Sequence, residues 1–354
     1  MFTLVNTFSG CAAHRHESGA ILIHAGADNN IANSDAVFAA AFYTPALNDR
    51  GTAHVLEHCV LEGSRRYADS PFEQLNTNVI WSYLNALTYE DRTVYTFATP
   101  DEPSFNIMFD IYFDALFAPL LREETFERER EVVCNEMRGR QADQITNARL
   151  KAYRQLLAGT SYEFCNMGSP KCINILSLDE CICYYERFYN PTNVIFYLYT
   201  PVGWDAPRWI NALESKLSAN GFRASKINGP EPQAPKIFSP VSGAVSVSSI
   251  DGATFVLLGQ KTAPKNEFAG RALFEALSFR LECGDTYFDE MTPYLVMGFG
   301  ADVKSIVNAL SSITRSDILR AIDKINLRRV NNYARYKPQK LMLFLELLPW
   351  CMYG

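Results

Sequence analysis

The chain has 354 residues, 48% hydrophobic and 20% charged, enough for two domains with hydrophobic cores and unlike a disordered or fibrous chain. Its 33 Lys+Arg against 39 Asp+Glu give a formal charge of −6, so no basic field exists to hold nucleic acid or an anionic membrane surface. The longest strongly apolar run, 341–353, is broken by Glu346 and Pro349 and falls short of the roughly 20 residues a membrane span needs.

The start of the chain lacks the basic and apolar segments of a secretory signal and is poor in Arg, which predicts a cytoplasmic protein. Nine cysteines with no CxxC pair predict reduced thiols. In chain order, 20–24 and 36–44 read as strands, and 53–63 as a helix. Residues 81–84 read as a strand, with Asn85 either continuing it or turning the chain. A strand at 94–99, helices at 102–120 and 123–157, a strand at 193–200 and a helix at 205–218 follow. Four prolines, Pro230, Pro232, Pro235 and Pro240, mark 228–241 as a linker between a domain at 1–227 and a second at 242–354. In the second, 244–259 suggests one or two strands, and 267–281 and 315–325 suggest helices.

Two of the five histidines stand four residues apart with a glutamate between them, in His54-Val55-Leu56-Glu57-His58. On a helix this spacing puts both imidazoles on one face, able to reach one metal ion, with Glu57 leaning to the same side. Two neutral imidazoles suit Zn²⁺, and a nearby carboxylate can take a proton from water. No histidine follows His58, so a third ligand must be acidic, sulfur or one of the early histidines. In the helix from Glu123, residues Phe126, Glu129, Val133 and Glu136 form one stripe. Two carboxylates in an apolar stripe would be costly to bury alone, and a dication facing them would remove that cost. Glu136 is thereby favoured as a ligand and Glu129 as a support behind it, while Glu123, Glu124, Glu127, Arg128, Arg130 and Glu131 read as a solvated, ion-paired surface.

Beyond spacing, the text GTAHVLEHCVLEGSRRY, SPFEQL, NALTYEDRTVYTFATPDEPSFNIMFDIYFDALFAPLL, EREVVCNEMRG and YYERFYNPTNVIFYLYTP resembles the inverzincin metallopeptidases of the pitrilysin and insulinase type. The branch it is most similar to contains presequence protease. The resemblance covers nearly all of 1–227 and weakens beyond the linker, where FVLLGQKTAPKNEFAGRALFEALS still fits. It implies an α+β fold, an antiparallel sheet packed with helices on one side, followed by a second, truncated domain of similar type. It implies one Zn²⁺ on His54, His58 and Glu136, with Glu57 as general base and Glu129 steadying the metal shell. It also implies that Asn85, Ala86, Leu87 and Thr88 lie on an edge strand that pairs with an unfolded oligopeptide substrate. Family members enclose substrate between two homologous halves, and this chain resembles the zinc-bearing one. Alternatives are therefore a weak or inactive half that needs a second chain, or a module that binds peptides without cutting them; the apolar end at Trp350, Met352 and Tyr353 favours the former.

Overall fold

The computed structural model describes residues 1–8, 11–26, 35–69, 71–142 and 163–220, four further strands beyond them, and isolated positions at 154, 314, 316, 319 and 320. Residues 1–138 and 164–220 lie in one compact unit, and the four further strands lie in another. The linker expected at 228–241 and the helices expected at 267–281 and 315–325 fall essentially outside the described residues.

The first unit is built on seven strands, β1 (Phe2–Phe8), β2 (Cys11–His16), β3 (Ile21–Gly26), β4 (Ala36–Tyr43), β5 (Tyr83–Thr88), β6 (Arg92–Thr99) and β7 (Val194–Thr200). Their order across the sheet is β1-β2-β3-β7-β4-β6-β5, which leaves β1 and β5 at the edges. Neighbours run antiparallel except β3 and β7, so the α+β expectation holds with a mixed sheet. Every residue of β4 is buried, as its continuous apolar run AVFAAAFY requires of a strand covered on both faces. Phe38 and Phe42 alternate toward the helices, while Val37, Ala39 and Ala41 join a cluster of smaller residues on the opposite face.

Among the described residues seven α-helices accompany the sheet: α1 (Thr52–Val60), α2 (Pro71–Asn78), α3 (Glu102–Phe117), α4 (Glu123–Ala142), α5 (Pro170–Ile173), α6 (Leu178–Phe188) and α7 (Ala206–Ala219). Local chemistry fixes their starts. The Asp101 carboxylate caps α3 by accepting from Ser104 N–H at 2.9 Å, and Ser177 and Glu180 form a reciprocal capping box on α6. Residues 53–63 and 102–120 form helices that stop slightly earlier than expected, at Val60 and Phe117. The α4 helix is described as far as Ala142. The sequence reading missed β1, β2, α2 and α5, whose segments are short or polar, and also α6, whose Cys181, Tyr184 and Phe188 do form a buried helical stripe.

The second unit's described part is a four-stranded antiparallel sheet of β8 (Gly243–Ile250), β9 (Ala253–Lys261), β10 (Thr286–Met291) and β11 (Tyr294–Phe299), ordered β10-β11-β9-β8. The 244–259 region therefore contributes to two strands, and β10 and β11 add a hairpin that sequence reading did not find.

Asp110 of α3 ties three parts of the helical layer together. Its carboxylate accepts from Tyr67 Oη, from Lys216 Nζ of α7 and, at 2.8 Å, from the Arg66 guanidinium. Burial opposes ionisation of Asp110, but the hydrogen bonds from Lys216, Tyr67 and Arg66 outweigh it and hold the carboxyl below the ordinary Asp range. Asp110→Ala strands the largely covered Lys216 ammonium, and chemical denaturation at neutral pH should show a loss of about 1–3 kcal/mol. Because the folded-state pKa is lowered, this contribution is complete above about pH 4 and disappears as the pH falls through the folded value. The gap between the native chain and Asp110→Ala should close in the same direction.

Candidate metal centre

Helix α1 starts at a sharp corner, where Gly51 has φ 65 and allows the chain to turn directly into TAHVLEHCV. One helical turn separates His54 from His58, whose ring centroids are 5.1 Å apart. Both rings aim Nε2 at Glu136 of α4: Oε2 lies 3.5 Å from His54 Nε2 and 3.9 Å from His58 Nε2. One ligand atom from each of the three residues falls within 4.8 Å of the others.

The opposite ring nitrogens are held. His54 Nδ1 lies 3.3 Å from the Met167 carbonyl oxygen, and His58 Nδ1 lies 3.2 Å from Glu129 Oε2. A carbonyl and a carboxylate accept and cannot donate, so the Nδ1 atoms carry protons, and the Nε2 atoms are the ring positions that face Glu136. Hydrogen bonding from His58 holds the Glu129 carboxyl below the ordinary glutamate range against its burial, with Arg128 adding to the effect. Arg128 also reaches Glu62 at 2.6 Å, so it ties α4 to the end of α1 rather than pairing only along its own helix. Glu127 and Arg130 do pair within α4.

Glu57 is half-buried beside the two histidines, and burial raises its carboxyl above the ordinary range. The Thr88 hydroxyl, at the end of edge strand β5, and the two neighbouring histidines act in the opposite direction. Asn85 lies inside that strand, so it does not turn the chain. Its side-chain oxygen accepts the Ala86 N–H at 3.0 Å, and its amide donates to Tyr83 Oη at 3.2 Å. Asn85, Ala86, Leu87 and Thr88 all pair with β6 on one side, and among the described residues no strand pairs with β5 on the other.

Met167 was not foreseen. Its loop is fastened by Asn166, whose buried amide donates to the carbonyls of Thr44 at 2.8 Å and Tyr89 at 2.7 Å. Asp49 adds two more ties, accepting from Cys165 N–H through its carboxylate and from Ser169 N–H through its carbonyl. The turn was foreshadowed only by Gly168-Ser169-Pro170, since a backbone carbonyl leaves no residue-type signal.

The donor set fits a borderline-soft dication such as Zn²⁺. Tetrahedral ligands about 2.0–2.1 Å from the ion lie about 3.4 Å from one another, close to the His–Glu136 separations observed. Two held imidazoles and a carboxylate are also the ligand types that Zn²⁺ takes in open, three-residue sites. Among the described residues, seven cysteines are free, and no helix is long and apolar enough to cross a membrane.

The fold and this cluster define a class: an α+β domain that brings two histidines of one helix and a glutamate of another into a potential metal-ligand set. Residues 45–161 match the family model described as Insulinase (Peptidase family M16), and the chain is similar to that family over this stretch. It is 33% identical over 199 residues to the mitochondrial presequence protease of Schizosaccharomyces pombe, covering 51% of this chain and 20% of that protein. It is 32% identical over 180 residues to Protein HypA of Clostridium perfringens, covering 46% and 18%. The aligned region thus spans about a fifth of the length of these relatives. Among solved structures, a protease from Helicobacter pylori matches with a TM-score of 0.76 at 17% identity, covering 95% of this chain and 88% of that one. An M16 inactive domain from Pseudomonas fluorescens matches at 0.69 and 14%, covering 89% and 83%. These structural matches establish the shared fold.

Gly168 has φ +84, and a Cβ there would fall 2.8 Å from Gly51 Cα and Ile173 Cγ1. Gly168→Ala should therefore push the Met167 loop off His54 and lower stability by about 1–3 kcal/mol. Thermal unfolding of the purified variant checks this, and a midpoint equal to that of the native chain would contradict it.

Proposed function

We propose that this chain is the metal-bearing part of a zinc-dependent endopeptidase that hydrolyses short unfolded oligopeptides, similar to presequence protease. The observation that supports this most directly is the convergence of His54, His58 and Glu136, with Glu57 beside them on α1. In this reading 1–227 is the peptidase domain, 228–241 a linker and 242–354 a second α+β domain.

His54, His58 and Glu136 would hold Zn²⁺, and the bound ion supplies Lewis acidity toward a carbonyl oxygen and toward water. Glu57 acts as general base, accepting the proton of the attacking water and passing it to the leaving amine. Glu129 fixes His58 in the tautomer with Nε2 unprotonated, as Met167 does for His54. The free edge of β5 at Asn85–Thr88 receives the peptide as an added strand, which gives backbone affinity with loose sequence preference.

A second reading is favoured by length. The aligned region is about a fifth of its curated relatives, and the chain covers 43% of the periplasmic protease PqqL from Escherichia coli at a TM-score of 0.71 and 14% identity. On this reading the metal site is complete and hydrolysis needs a second half, as a covalent continuation or a separate subunit, to close over the peptide.

Cleavage of a quenched, unstructured peptide by the zinc-loaded chain separates the readings. Glu57→Gln should retain one zinc and lose at least about 100-fold in rate, whereas Glu136→Ala should lose zinc affinity as well. Silence of the native chain with one zinc bound supports the two-half reading. A Glu57→Gln variant that cleaves at the native rate would overturn the assignment of the base. Removing the ion with a chelator should abolish cleavage, and returning Zn²⁺ should restore it.

A further inference from the structure

The edge strand ends at Glu57 on one side and begins beside an apolar projection on the other. Ile80 and Trp81 immediately precede β5 and are 60% and 40% exposed. Their backbone is fixed. Ile80 N–H donates to Ser104 Oγ at 3.0 Å, and its carbonyl accepts from Thr99 Oγ1 at 2.6 Å. Ser82 N–H donates to the Ala98 carbonyl at 2.9 Å, and its hydroxyl donates to Asp35 at 2.8 Å. Trp81 is thus held between two tethered residues, its ring partly covered and partly open. Ile107, one turn beyond Ser104 on α3, is 45% exposed and adds apolar surface near the same corner. Large apolar side chains on a rigid frame, continuous with an unpaired strand edge, mark a contact surface better than scattered exposed residues do.

We propose that Trp81, supported by Ile80, is a specificity-determining anchor for the peptide that adds to β5, so that preferred substrates carry a large apolar residue about seven positions from the scissile bond. This rests on the peptidase reading. Thr88 marks the Glu57 end of the strand, and Trp81 lies seven residues before it, at most about 24 Å away at the rise of an extended chain. A peptide paired antiparallel to β5, the better hydrogen-bonded arrangement, lays its C-terminal part toward Trp81. The anchor therefore reads a side chain on the C-terminal side of the cut. Shorter peptides reach the metal end without reaching Trp81, which makes substrate length a selected property.

The test uses a fluorescent, unstructured host peptide of Gly, Ser and Gln with a single Phe, and the same peptide with Ser in its place. Binding is measured by anisotropy to the zinc-loaded Glu57→Gln chain. The Phe peptide should bind about tenfold tighter, equivalent to about 1.4 kcal/mol. Adding Trp81→Ser should remove the difference between the two peptides, and adding Trp81→Phe should keep most of it. Where the native chain cleaves the host peptide, mass spectrometry should find cuts about seven residues N-terminal to the Phe. A preference for Phe that survives Trp81→Ser overturns the anchor and leaves the peptidase reading standing. Absence of binding by either peptide to every variant overturns both.

Discussion

Convergence of the two α1 imidazoles depends on what holds their far sides. Left alone, each ring could rotate and either nitrogen could carry the proton. The Met167 carbonyl behind His54 and the Glu129 carboxylate behind His58 remove that freedom, and both hydrogen bonds leave Nε2 pointing toward Glu136. These supports come from separate parts of the chain, one from the loop before α5 and one from α4. The sheet and helix packing must therefore be in place before the ligand set exists. That explains why Asn166 is buried with both amide hydrogens satisfied: it fixes the Met167 loop to the ends of β4 and of the β5–β6 hairpin at once.

Charge accounts for the same layout. Glu57, Glu129 and Glu136 sit close together against an aromatic core that includes Phe126 and Tyr95. Three carboxylates there would repel one another and lack hydration. The arrangement separates them by environment. Glu129 is kept ionised by His58 and Arg128, Glu57 is raised by burial, and Glu136 stands between two imidazole nitrogens. A carboxylate that stabilises a neighbour, one that can exchange a proton and one that can ligate a cation thus arise from the same residue type.

Much of this was readable from residue order. The i to i+4 histidines and the stripe of Phe126, Glu129, Val133 and Glu136 follow helical periodicity, and the structure brings His54, His58 and Glu136 together as that spacing requires. The β4 strand was legible because eight consecutive apolar residues leave little alternative for a buried segment. By contrast, α2 is short and its apolar positions are few, so tertiary contacts rather than local pattern decide it, whereas α6 carried an amphipathic pattern and a Ser177–Glu180 capping box that sequence reading overlooked. The Met167 carbonyl was invisible for a different reason: every residue has one, and only the fold selects which is used. The parallel pairing of β3 with β7 joins segments about 170 residues apart, beyond the reach of any local signal.

The two edges of the large sheet are built differently. Strand β1 loses register between Leu4 and Asn6, a bulge that bends an edge and discourages another strand from pairing with it. Strand β5 keeps an unbroken register with β6 from Tyr83 to Thr88 and so offers a regular outer edge. An edge left open to pairing carries a standing hazard of self-association. Among the described residues, the irregular edge at β1 confines that hazard to the β5 margin, so on the proposed reading the sheet can take a peptide strand there without also growing from its other end.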